Sequence, residues 1–153
     1  MKKDYKISVA GTYYHQKALK SLQTEENYDY SLSKAEMFAE GLDTDDRIYQ
    51  YGIEKCLLDI KHEPGNQYDP AALQVFADGV FIGYVPRGNL DVLKRIASHP
   101  DLEMYVEIYG GKYKVIEEKE PGADWMCEYN PKDYVVRTEN SEVRAIMVFE
   151  WTA

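Results

Sequence analysis

Cysteine is nearly absent from this sequence, and histidine, basic charge and long apolar runs are scarce. The two cysteines, Cys56 and Cys127, lie far apart and at no metal-binding spacing. That excludes a disulfide-built scaffold and a thiolate zinc site. Both are expected to be reduced structural thiols, Cys56 within the apolar run CLLDI. His15, His62 and His99 are scattered, with no pair at the i, i+4 spacing of a helical zinc site, so no metal is expected. No apolar run approaches the roughly 20 residues of a membrane span. The opening MKKDYKISVAG lacks the continuous apolar core of a signal peptide, so a cytoplasmic protein without membrane contact is expected. Neither a phosphate-binding GxxxxGK[ST] loop nor a GxSxG nucleophile elbow occurs. Glu63 and Asp69 form no defined acid/base pair, because six residues across a turn fix no separation. Neither catalysis nor a cofactor is expected.

Basic side chains number 18 against 27 acidic ones, a net charge of -9. Such a balance opposes strong binding to nucleic acid, whose phosphates require Lys and Arg. The distribution qualifies this. Residues 1–52 carry 7 basic and 9 acidic side chains, residues 53–100 carry 5 and 6, and residues 101–153 carry 6 and 12. The acidity thus collects in the C-terminal third.

What the chain does have is a 44% hydrophobic share, enough for a core, and 14 tyrosines in 153 residues. Tyrosine offers a flat ring for stacking and a hydroxyl at its edge. The length predicts one domain over 1–153, with an insertion at about 16–50 and a C-terminal β extension from about 101. Period-two alternation predicts strands at 5–13 and 53–62, the second with Leu57 out of phase. A hairpin is expected at 73–77 and 80–85 across Asp78-Gly79, a favoured type I′ pair. Two more are expected at 103–108 and 112–117 over Gly110-Gly111, and at 134–137 and 143–151 over residues 138–141. Ser33 three before Glu36 has the form of a capping box, with Gly41 as a stop. Leu90, Leu93 and Ile96 mark a second helix, ended by Pro100. The fold class expected is mainly β with one or two short helices, a small curved barrel of OB-like or SH3-like type.

The most informative stretch is EPGNQYDPAALQVFADGVFIGYVPR, residues 63–87. Its first half is turn chemistry. Asp69 before Pro70 suits a helix N-cap, and Gly83 suits a bulge or a close backbone approach. These local roles leave Asn66, Tyr68 and the closing Pro86-Arg87 unexplained.

The stretch resembles the signature of the HIRAN family. Glu63-Pro64, Asn66-Gln67-Tyr68-Asp69, Ala72-Leu73 and Ile82-Gly83-Tyr84-Val85-Pro86-Arg87 follow its order and spacing. Upstream, Val9-Ala10-Gly11-Thr12-Tyr13-Tyr14 is similar to the family's first strand, which ends in an aromatic pair. The resemblance covers residues 5–14 and about 53–98. It implies an OB-like barrel that binds DNA, favouring single strands and free 3′ ends. The implied binding residues are Tyr13, Tyr14, Asn66, Tyr68, Asp69, Tyr84 and Arg87. In that role the tyrosines stack on bases, Asp69 accepts from a terminal sugar hydroxyl, and Arg87 pairs with a phosphate. Two positions depart from the pattern: Thr12 stands where relatives can carry arginine, and Ala71 where asparagine is usual. The competing expectation is a protein-interaction module whose acidic surface docks a basic partner.

Overall fold

The computed structural model describes residues 1–119 and 131–153, so Cys127 lies outside the described residues. In chain order the elements are β1 (Lys2–Ser8), α1 (Gln16–Leu22), α2 (Lys34–Ala39), β2 (Ile48–Tyr49) and β3 (Glu54–His62). They continue as β4 (Leu73–Ala77), β5 (Val80–Tyr84), α3 (Leu90–Ile96), β6 (Glu103–Glu118) and β7 (Tyr134–Thr152). Short 3-10 turns occupy Thr12–His15, Tyr28–Ser31, Arg87–Asn89 and Pro131–Asp133. The protein is mainly β, an antiparallel sheet curled into a half-barrel, as its alternation implied. Two compact units are distinguished: Met1–Thr24, Ile53–Tyr109 and Glu142–Ala153 form the first, Glu25–Gly52 and Gly110–Ser141 the second.

In the first unit the alternating residues do what their period demands. Cys56 and Leu58 of β3 are buried between the exposed Lys55, Leu57 and Asp59. Leu57 therefore does not break the strand; it sits on the solvent face. The core joins Val75, Ile82, Val106, Ile108, Met147 and Phe149, each fully buried, to Leu19 of α1 and Ile96 of α3. The Cys56 thiol lies inside this core, and burial first, then Asp78, pushes its pKa up to about 12.

The Asp78-Gly79 hairpin forms as expected, both residues at positive φ, 48° and 82°. Asp78 also anchors it to β3: its carboxylate accepts from the Leu57 amide at 2.7 Å, and its own amide donates to the Leu57 carbonyl at 2.9 Å. The strand order β1-β7-β6-β3-β4-β5 would leave β1 and β5 as open edges. Beyond the end of β1, Ala10 and Tyr84 exchange two backbone hydrogen bonds, 2.8 and 2.9 Å, a single bridge that closes the curl at that one point and leaves the strands themselves as edges. Gly83 makes the approach possible. A Cβ there would lie 2.3 Å from the Ala10 carbonyl oxygen and 2.7 Å from a Val9 methyl.

Four local expectations are corrected. The first strand ends at Ser8, not Tyr13, because Gly11 turns left-handed (φ 77°) and starts a 3-10 turn. That turn runs into α1, a helix the polar composition concealed. Gln16 ties α1 to β7 by accepting from the Val143 amide and donating to its carbonyl, both at 2.8 Å. Asp69 caps no helix; its carboxylate accepts from the Ala71 amide at 3.0 Å and closes a turn. Finally, β6 and β7 are each one long strand where the sequence suggested hairpins.

The second unit shows why. Gly110 and Gly111 both take φ 94°, but they kink a continuing strand and do not reverse it. The Ser141 hydroxyl accepts from the Gly111 amide at 3.1 Å and donates to its carbonyl at 2.9 Å, replacing ladder bonds at the kink. The expected capping box of Ser33 and Glu36 is present, and the bonds to Ser33 hold the Glu36 carboxyl below its ordinary range. Gly41 (φ 80°) ends α2 with two backbone bonds, from its own amide to Phe38 and from Leu42 to Met37. Met37 and Leu32 pack with Ile48 and Ile116 in a core of their own.

Gly83→Ala tests the closure. The clash with backbone oxygen, together with the positive φ of 153°, is expected to cost about 3 kcal/mol. Urea unfolding followed by circular dichroism measures it. A variant as stable as the parent would show that the closure is not needed.

Candidate nucleic-acid interface

The loop of residues 63–72 is tied at its base, where the Glu63 amide donates to the Ala72 carbonyl at 3.0 Å. Inside it, Asn66 acts as a template. Its side-chain oxygen accepts from the amides of Tyr68 and Asp69, each at 2.9 Å. An asparagine carbonyl can accept twice, and here both acceptances shape the backbone. Its side-chain nitrogen donates to Glu63 at 3.4 Å. The same Glu63 oxygen accepts from the Tyr84 hydroxyl at 2.8 Å. That hydrogen bond raises the Tyr84 pKa, because ionising the phenol beside a carboxylate would lose a donor and set two negative charges together.

Asp69 has one oxygen on the Ala71 amide and the other 3.2 Å from Arg87 Nε. Arg87 is mostly exposed while Asp69 is largely covered, so the pair contributes no more than about 1 kcal/mol to stability. Its importance is geometric. With Nε on Asp69, the guanidinium still has further N–H donors on its terminal nitrogens.

Tyr84 also connects this loop to the aromatic pair. Its backbone pairs with Ala10, and the left-handed Gly11 then delivers Tyr13 and Tyr14 on the 3-10 turn. Tyr13 is 65% exposed and Tyr14 82%, their rings edge-on at 5.3 Å. Tyr68, at the tip of the loop, is 88% exposed. Thr12 is buried at the start of the turn. Behind the pair, His15 lies against Phe81 at 4.6 Å, and Phe81 meets Tyr84 edge-on at 5.4 Å.

The seven candidate residues therefore divide. Hydrogen bonds and one ion pair link Asn66, Asp69, Tyr84 and Arg87, and the Tyr84–Ala10 contact adjoins the turn that carries Tyr13 and Tyr14. Among the described residues Tyr68 makes no side-chain bond, and its backbone amide donates to Asn66. Glu63, the joint between Asn66 and Tyr84, was not among the candidates. Its position beside Pro64 marked it as a turn residue, but nothing local revealed a partner 21 residues away. Among the described residues no group of three or more His, Cys, Asp or Glu side chains could hold a metal ion. No helix among them is long and apolar enough to cross a membrane. No protein-family model, curated protein or solved structure matches the chain.

The Glu63–Tyr84 bond has a testable pH dependence. A raised phenol pKa stabilises the fold fully below the unfolded value, about 10, and this contribution fades as pH rises through the higher folded value. Carbon-13 NMR of the tyrosine Cζ atoms is expected to show Tyr84 ionising above the ordinary range. Glu63→Gln, which removes the charge, is expected to reduce that displacement, the part due to burial remaining; an unchanged Tyr84 titration in the variant would exclude the Glu63 charge as a cause.

Proposed function

We propose that this chain is a non-catalytic nucleic-acid-binding module of HIRAN type that captures the end of a single strand, DNA in the first instance. The observation that carries the reading is the grouping of exposed aromatic rings with a bonded acid–base pair. Tyr13 and Tyr14 leave the closure point directly, and the loop held to Tyr84 through Glu63 presents Tyr68, with Asp69 gripping Arg87. Solvent-exposed tyrosines gain little for the fold, whereas each base stacked on such a ring contributes roughly 1–3 kcal/mol.

Chemically, the Asp69 carboxylate accepts from a terminal 3′ hydroxyl, a donor that an internal nucleotide lacks. Arg87, oriented by Asp69 through Nε, donates its terminal nitrogens to the adjacent phosphate. A 3′ phosphate would meet the carboxylate and be repelled. With so few cations at the site and a net charge of -9, binding is expected to be weak at physiological salt. The free thiol of Cys56 accords with a reduced, cytoplasmic setting.

A second reading is favoured by a different face of the same unit. Tyr105 donates to Glu150 at 3.0 Å, and its pKa is raised by burial first and then by Glu150, Glu107 and Asp4. Lys55 Nζ also lies 3.9 Å from the Tyr105 ring, so the face is mixed in charge, and its three carboxylates suit a basic protein partner.

Fluorescence anisotropy with short single strands at several salt concentrations separates the two. Tyr68→Ala is expected to weaken binding by about fivefold or more, without changing the melting temperature. Arg87→Ala is expected to lower the salt slope by about 0.7, one phosphate on a single strand. Asp69→Asn is expected to narrow the preference for a 3′ hydroxyl over a 3′ phosphate. No measurable affinity of the parent protein for any strand end at low salt would reject this function and favour the acidic docking face.

A further inference from the structure

The second unit carries a cavity of about 450 Å³ with an unusual lining. Three of its eight lining residues are lysines, Lys34, Lys114 and Lys119, and none is acidic. In a chain whose acidic side chains outnumber basic ones 27 to 18, three neighbouring lysines would ordinarily attract carboxylates. Among the described residues none of the three forms an ion pair; the nearby Glu117 is held by Arg137 at 2.7 Å.

Two of the ammonium groups are positioned. Lys34 Nζ donates to the Tyr134 carbonyl at 3.2 Å, and Lys114 Nζ to the Tyr30 carbonyl at 2.7 Å. Lys114 also lies 4.3 Å above the Tyr30 ring. An ammonium has three protons, so each retains donors after these bonds. Apart from Tyr134 the rest of the lining is aliphatic. Leu32 and Met37 are buried members of the unit's core, and Val136 packs against it. The aromatic rings at the rim are already occupied, Tyr134 against Phe38 at 5.3 Å and Tyr30 under Lys114. A stacked base therefore has no obvious platform here, whereas an alkyl chain has a floor.

We propose that this cavity binds an anionic amphiphile: a carboxylate held among Lys34, Lys114 and Lys119, with an aliphatic tail laid along Leu32, Met37 and Val136. The volume falls within the range of ordinary small-molecule sites. Unpaired lysines beside an apolar floor match such a ligand at both ends, and neither end alone accounts for the arrangement. This site shares no residue with the strand-end site, so the two stand or fall separately.

The probe is octanoate, titrated into the full-length protein and followed by methyl NMR and calorimetry. One saturable site is expected below about 10 mM, with shifts confined to the methyls of Leu32, Met37, Val135 and Val136. Octanol and acetate, each lacking one end of the ligand, are expected to bind at least fivefold more weakly. Lys119→Gln, whose side chain forms no ion pair among the described residues, is expected to weaken octanoate about fivefold, and Lys34→Gln,Lys119→Gln further. A urea melt confirms that each variant is folded. No saturable octanoate binding, shifts elsewhere, or affinity indifferent to both lysines would overturn the proposal. Octyl phosphate binding tenfold tighter than octanoate would overturn the carboxylate assignment.

Discussion

Two backbone hydrogen bonds between Ala10 and Tyr84 are the constraint on which the rest of the first unit depends. They are short enough only because Gly83 has no side chain, since a Cβ would stand 2.3 Å from the Ala10 oxygen. Once made, they determine the entry point of the turn that carries Tyr13 and Tyr14. They also hold the Tyr84 side chain where its hydroxyl meets Glu63. The absence of one carbon atom thus positions residues from two segments that are some seventy positions apart in the chain.

Around that contact the side chains have separate tasks. Asn66, Glu63 and Tyr84 direct their hydrogen bonds into the protein, and they give the 63–72 loop its shape. Tyr13, Tyr14 and Tyr68 contribute almost nothing to the core and face solvent. Asp69 and Arg87 belong to both groups, bonded to each other and still at the surface. The internal hydrogen bonds shape the backbone of the loop that carries Tyr68.

The second unit follows another logic. Its small core needs a cleanly ended helix, supplied by the Ser33–Glu36 box at one end and Gly41 at the other. Two of its lysines, Lys34 and Lys114, donate to carbonyl oxygens, those of Tyr134 and Tyr30. Both line a cavity together with Lys119 and the aliphatic Leu32, Met37, Val135 and Val136.

How much of this was legible in the sequence varies with the range of the interaction. The mainly β class, the Asp78-Gly79 hairpin, the α2 cap and the α3 helix were all readable. Each rests on periodicity or on dihedral preferences spanning a few residues. The candidate site was half legible: the turn chemistry around Asn66 and Asp69 was visible, and the Asp69–Arg87 and Glu63–Tyr84 bonds were not. Gly110-Gly111 misled because a glycine pair permits a reversal and a kink equally well, and the Ser141 hydroxyl that bonds Gly111 lies thirty residues away. α1 was hidden for the same reason, since its anchor is Gln16 bonding to Val143, 127 residues distant. By itself the sequence determined which backbone conformations are cheap at each position. The tertiary structure decided which of them are used, because a partner brought in from far along the chain leaves no mark on the residues beside it.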